Sequence, residues 1–232
     1  MTDGEPARPR VIAFGDAAVL VTLGDRADPA LARAAAAAAR AIDDARAGWP
    51  GVGRPVPAHA TVLVPFDPLT MPGVEVRGAV TEIVEGLEGL DAAERTREDP
   101  GDVAPTEIHV RYGGDDGPDL DAVAEIHGLR ARDVVELHAA TTHTVLFLGF
   151  APGFAYLGGL PGELVTPRRA TPRERIPAGT VAIAGEHSGI YPRRMPGGWN
   201  LIGRTDAVLF DPASEPPALL TPGARVRFVP AG

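Results

Sequence analysis

The spacing of apolar residues changes rhythm part-way along the chain. Two apolar runs, RVIAFG and AAVLVTLG, flank Gly15 and Asp16, which predicts a β-hairpin. Asp28 is then placed to cap a helix and Pro29 suits its first position. The alanine-rich stretch should carry that helix to Ala47, before Gly48. The small side chains of Ala34–Ala39 suit close packing on a sheet. The pattern recurs, with strands expected at Val52–Val56 and Thr61–Phe66 and a helix from Val74 to Leu90. Val76, Val80, Ile83, Val84 and Leu87 fall on one face of that helix. The order ββαββα predicts a two-layer sandwich, a four-stranded antiparallel sheet with both helices on one side.

The polar stretch Asp91–Pro105 is the expected linker. It separates an N-terminal α+β domain, residues 1–98, from a second domain, residues 103–232. In the second, EIHVRYG reads as a strand, while GPDLDAVAEIHG and ARDVVELHAA read as short helices. Asp119 or Asp121 should start the first of these helices and Gly128 should end it. Beyond Thr141 the helical period stops. The short runs TVLFLGF, TVAIAG, NLIGRT, AVLF and RVRFVP alternate with Gly and Pro, the pattern of a closed β-barrel or a sandwich. Within FLGFAPGFAYLGGLPG, Thr144–Phe150 is expected as a barrel strand and Ala151–Pro161 as a shaped loop.

Composition removes several function classes. With 232 residues and 44% hydrophobic content, the chain can bury a real core. No apolar run reaches membrane-spanning length and the start, MTDGEPARPR, is polar, so a cytoplasmic protein is expected. Cysteine is absent, which excludes disulfides, thiolate ligands and thiol nucleophiles. All 22 basic residues are arginine, so this chain supplies neither a Schiff-base lysine nor a phosphate-loop lysine. The net charge of −9, without a basic run carrying aromatics, argues against nucleic acid as a partner.

The unusual residues concentrate between Phe147 and Thr205. Arg168, Arg169, Arg173 and Arg175 fall within eight residues, and Arg204 follows. Their planar guanidinium groups suit carboxylate or phosphate. A solvated turn residue paired with one of the 31 acidic side chains accounts for any one of them as well. Aromatics are only 5% of the chain, yet Phe150, Phe154, Tyr156, Tyr191 and Trp199 gather here with Pro152. They could wall a pocket or fill the barrel core. Glu186 and His187 are weak catalytic candidates. With Ser188 they form no triad, because neighbours on a strand point to opposite faces. His138 and His143 lie five apart, and no metal site is expected.

At this point the motifs are specific enough to resemble a family. GDAAVLVTLGD, YGGDDGPDL, GFAPGFAYLGGLP, TPRRATPRERIPAGTVAIAG, GIYPRRMPGGWNLIGRT and PGARVRFVP occur in family order across nearly the whole chain. The chain resembles the family of 5-oxoprolinase B subunits, also labelled allophanate hydrolase subunit 1, a carboxyltransferase-domain family that includes a bacterial kinase inhibitor. The resemblance implies a small N-terminal α+β domain and a C-terminal cyclophilin-like β-barrel. It implies a partner, the 5-oxoprolinase C subunit, and ATP with magnesium, bound at a site shared with that partner. It implies cleavage of 5-oxoproline to glutamate, with Arg168, Arg169, Arg175 and Arg204 as the anion-binding residues. Inhibition of a sensor histidine kinase, or part of an allophanate or urea-amide hydrolase, are the alternatives it leaves. Three positions, in two places, depart from the family pattern: His187-Ser188 replaces a common Gln-Thr, and His143 replaces a common Tyr.

Overall fold

In a computed structural model, residues 9–25, 29–88 and 104–231 are described. Contacts divide the chain into two compact units, residues 1–99 and 100–232. Asp28, Leu90 and most of the expected linker lie outside the described residues.

The first unit runs β1 (Arg10–Ala13), β2 (Ala18–Thr22), α1 (Pro29–Ala45), a 3-10 turn (Arg46–Gly48), β3 (Val56–Ala58), β4 (Thr61–Pro65) and α2 (Gly73–Glu88). Its antiparallel sheet has the order β1-β2-β4-β3. Val19 and Val21 of β2 lie opposite Val64 and Val62 of β4, and all four are buried. They pack with Ala35, Ala38 and Ile42 of α1 and with Val76, Val80 and Val84 of α2. Period two on the strands thus meets period 3.6 on the helices, and one sheet face carries both helices. The strand expected at Val52–Val56 is displaced. Val52 makes only an isolated bridge to Phe66, and pairing resumes at Val56. Pro55 has no N–H to donate, which breaks the ladder there.

The second unit runs β5 (Thr106–Tyr112), α3 (Leu120–His127), α4 (Ala131–Ala140), β6 (Thr142–Leu148), β7 (Ala155–Gly158), β8 (Arg173–Ile176), β9 (Thr180–Ala184), β10 (His187–Ile190), β11 (Met195–Gly197), β12 (Asn200–Arg204) and β13 (Arg225–Pro230). Seven strands close a barrel in the order β10-β7-β6-β13-β5-β12-β9, with β9 pairing back to β10. β13 is parallel to β5 and antiparallel to β6. Register shifts leave one extra residue on β6, Leu146, and one on β12, Ile202. Such bulges bend strands and increase their twist, which helps a sheet to close. β8 and β11 form a separate two-stranded ribbon. Val110, Val145, Leu157, Ile183 and Phe228 fill the barrel.

Three expectations change. Ala151–Pro161 is not loop throughout, because β7 lies within it and pairs with β6 and β10. Accordingly β6 ends at Leu148, and only Gly149–Phe154 connects the pair. AVLF forms no named strand; Phe210 makes one bridge to Ala218. Asp119 does stand at the start of α3, in the N-cap position, with its carboxylate used elsewhere rather than in a capping bond. Gly128 does end α3, with φ of 65°.

The turn before α3 is tightly fitted. A Cβ on Gly117 would stand 2.2 Å from the Ile202 carbonyl oxygen, a backbone atom that cannot rotate away. Gly117→Ala should therefore destabilise the second unit by about 3 kcal/mol, read from the midpoint of urea unfolding.

Candidate functional site

Alternation on the barrel strands creates a second core outside the barrel. On β9, Val181 and Ile183 belong to the interior cluster, whereas Ala182 and Ala184 belong to an outer cluster with Phe154, Ile176, Tyr191, Met195 and Trp199. Small outward residues leave room for large rings. Gly189 on β10 serves the same end, since a Cβ there would stand 2.9 Å from the Trp199 ring. Phe154 is the hub. The rings of Phe150, Tyr156, Tyr191 and Trp199 surround it at 5.5, 5.0, 5.4 and 5.5 Å. Phe154, Tyr191 and Trp199 are buried and support the layer from below. Tyr156 is half-buried, stacked on Phe147 at 4.3 Å and approached edge-on by His187 at 6.1 Å. Phe150 and Pro152 are exposed. Glu186 is exposed, next to His187 in the chain.

The arginines divide into bound and free. Asp119 is 4% exposed, and its carboxylate accepts two hydrogen bonds from Arg173 and one from Arg169, all at 2.8 Å. It accepts a fourth from the Leu201 backbone N–H at 2.7 Å. Arg204 faces Asp116 at 3.8 Å, and Asp116 also takes Arg111 at 2.9 Å. Arg168 and Arg175 are exposed and make no ion pair among the described residues. Arg168 lies close enough to Tyr156 and Tyr191 to lower both hydroxyls. Burial wins at each: it holds Tyr156 above the ordinary phenol range and, against the Trp199 backbone bond, pushes Tyr191 up to about 12. Exposed Arg193 and Arg194, in the turn before β11, add two further cations. Of the four expected anion ligands, Arg168 is therefore the one brought beside the aromatic layer without an acidic partner. Arg175 sits on the β8 ribbon, and Arg169 is held by Asp119. A free guanidinium, a phenol, an imidazole and flat ring faces can together hold an anionic ligand with a planar part. Among the described residues, no group of three or more His, Asp or Glu side chains could hold a metal ion.

The barrel interior holds a polar chain that residue spacing did not reveal. Tyr112 Oη lies 2.8 Å from His138 Nδ1, and His138 Nε2 lies 2.8 Å from Ser188 Oγ. A neutral imidazole donates from one nitrogen and accepts at the other, so His138 links the two hydroxyls in either tautomer. Ser188 points inward and His187 outward, as strand alternation requires. His138 stacks on Phe228 at 4.5 Å, with His143 4.9 Å away, and both histidines are fully buried. Burial, then the neighbouring His143, pushes His138 well down; burial also lowers His143.

Two outcomes follow. Removing the Asp119 carboxylate strands two guanidinium groups and a buried N–H, so Asp119→Ala should cost about 2–4 kcal/mol in unfolding free energy. The histidines set a pH dependence. Folded His138 and His143 resist protons that the unfolded chain takes up below about pH 6.5, so stability falls as pH drops through that value. The thermal midpoint should be lower at pH 5 than at pH 7.5, and His143→Gln should reduce the difference.

Comparisons with known proteins bear on the whole chain. The model of the carboxyltransferase domain, subdomain C and D, matches residues 9–220. The 5-oxoprolinase B subunit of Bacillus subtilis (strain 168) is 37% identical over 227 residues, covering 93% of this chain and 90% of that protein. The 5-oxoprolinase B subunit of Escherichia coli O157:H7 is 58% identical over 124 residues, covering 53% of this chain and 57% of that protein. The crystal structure of TTHA0988 superposes with a TM-score of 0.77 at 36% identity, covering 93% of this chain and 40% of that one. This chain thus spans little more than half of the E. coli protein and less than half of TTHA0988. A family match over residues 9–220, with a relative 37% identical across 93% of this chain, means that the chain belongs to the carboxyltransferase domain subdomain C and D family.

Proposed function

We propose that this chain is the B subunit of an ATP-dependent 5-oxoprolinase, acting with the C subunit to open 5-oxoproline to glutamate. The observation that carries the reading is the match to the B. subtilis 5-oxoprolinase B subunit over 93% of this chain and 90% of that protein. A cytoplasmic location and a cyclophilin-like character for the barrel belong to the same reading. No helix among the described residues is long and apolar enough to cross a membrane.

The chemistry explains why ATP is needed. A five-membered lactam is a poor electrophile. Phosphoryl transfer from ATP to its oxygen would release ADP and activate the ring carbon; one water then attacks that carbon and the C–N bond breaks to leave an acyl phosphate, which a second water hydrolyses to glutamate and phosphate. Cations must hold both the phosphates and the substrate carboxylate. Arg168, beside Tyr156 and free of acidic partners, is the residue proposed to hold one of these anions, with Arg175 as a second cation. Tyr156 and His187 offer polar atoms next to a flat surface. The chain has no lysine for a phosphate loop, so MgATP is assigned to a site completed by the C subunit.

Mixing this chain with its partner subunits should give oxoproline-dependent ATP hydrolysis, with none from this chain alone. Arg168→Ala in that complex should lower kcat/KM by roughly 10–100-fold, the worth of about 1.4–2.7 kcal/mol of charge-assisted contact. Turnover by this chain alone would refute the shared site. Full activity in the Arg168→Ala complex would remove Arg168 from the reading.

A further inference from the structure

Among the described residues, two that are not glycine have positive φ: His59 at 48° and Phe150 at 67°. His59 lies in the two-residue turn between β3 and β4, where positive φ is an ordinary requirement. Phe150 is different. The Ala151 N–H bonds to the Gly149 carbonyl at 2.7 Å, so Phe150 is the centre of a γ-turn of the rare positive-φ form. A bulky aromatic gains nothing locally from that backbone and is strained by it. Nor is it placed there to be buried: its side chain is 61% exposed.

The surrounding contacts hold the turn rigid. Gly149 N–H bonds to the Phe154 carbonyl at 3.1 Å, and Phe154 N–H bonds to the Ala151 carbonyl at 3.0 Å. Gly153, with φ of 78°, fits so closely that a Cβ would meet the Phe210 Cβ at 2.7 Å and the Leu209 oxygen at 2.8 Å. Beneath, the buried Phe154 ring supports Phe150 edge-to-face. The segment packed on Gly153 has exposed apolar residues of its own: Val208 is 69% exposed, and Leu219, whose N–H bonds to the Leu209 carbonyl, is 47% exposed.

We infer that Phe150 is a preformed anchor that inserts into an apolar pocket on a partner polypeptide, with Val208 and Leu219 as its flanks. A strained turn persists only where surrounding structure enforces it, and such outliers cluster at functional positions. Aromatic residues dominate the energetic centres of protein interfaces, and a ring held rigid in advance loses little freedom on docking. A small molecule does not fit the same geometry. Small-ligand sites are concave and enclose most of the ligand, whereas Phe150 projects from the tip of a turn. The partner is a different polypeptide rather than a second copy. In TTHA0988 the fold matched by this chain occupies 40% of a longer chain, so further polypeptide accompanies it there. The inference rests on the proposed pairing with the C subunit, and names the residue through which that pairing is made.

The test uses the full chain and the 5-oxoprolinase C subunit, with affinity measured by titration calorimetry and thermal midpoints measured on the free chain. Phe150→Gly removes the ring and relieves the positive φ. It should leave the free chain at least as stable as the parent, with its midpoint unchanged or a few degrees higher, and weaken the complex at least tenfold. Phe150→Leu should retain part of the affinity. If Phe150→Gly matches the parent in its affinity for the C subunit, the inference is overturned while the pairing stands. If the parent chain does not bind the C subunit, the pairing falls and the inference with it. A lowered midpoint for free Phe150→Gly would show that the ring serves folding instead. Self-association of the parent that Phe150→Gly abolishes would make a second copy the occupant, and would also overturn it.

Discussion

A single buried carboxylate ties together three separate segments of the second unit. Asp119 closes the turn that leads into α3, yet its oxygens are committed to Arg169, Arg173 and the Leu201 N–H. Those partners come from the arginine-rich loop, the β8 ribbon and barrel strand β12. Four donors around two oxygens satisfy the charge, and the geometry offsets the cost of burying it. The turn is fixed from the backbone side too, because the Asp119 N–H bonds to the Leu201 carbonyl. With Arg169 and Arg173 held, the residue between the loop and the aromatic layer is Arg168, and its charge is left unmatched.

The barrel wall then acts as a partition between two environments of different purpose. Its inner face is packed with aliphatic residues, and its polar content is tied into the Tyr112–His138–Ser188 chain. Its outer face on β9 and β10 is built from Ala182, Ala184 and Gly189, and these small residues admit the rings of Phe154, Tyr191 and Trp199. The ribbon of β8 and β11 covers part of that layer through Ile176 and Met195. What remains open carries Tyr156, His187 and Arg168, groups suited to an anion. The interior carries neutral histidines, suited to holding a shape. His143 and Ser188, two of the departures from the family pattern, lie inside; His187, the third, lies outside on the open face. The inner positions belong to the packed barrel interior, whereas His187 belongs to the outer face beside Tyr156.

The connection between β6 and β7 shows how a strained element is retained. Neighbouring hydrogen bonds and the close fit of Gly153 impose the backbone at Phe150. The buried ring of Phe154, four residues on, anchors the same loop to the outer core. One aromatic is spent inside to hold another outside, which is a division of labour between two residues of the same type.

Periodicity was enough for much of this architecture. The alternation in β2 and β4 and the helical spacing of Val76, Val80 and Val84 made the first sheet and its helices legible, because a one-residue slip would expose every buried valine. Gly and Pro punctuation made the β-rich second unit legible as well. The structure gathers several of the clustered aromatic residues into one layer, and the family motifs gave the chain's kinship. Three things lay beyond that reach. Residue type did not tell Arg168 from Arg169, since the difference is which of them reaches Asp119, some 50 residues away in sequence. Nor did it tell buried Phe154 from exposed Phe150, or bring His138 to Ser188 across the barrel. The sequence by itself determined which segments would form strands and helices and which face of each would be apolar, because those follow from local spacing. Only the tertiary structure decided which charges are neutralised and which rings reach solvent, because both depend on contacts between residues that closure of the barrel brings together.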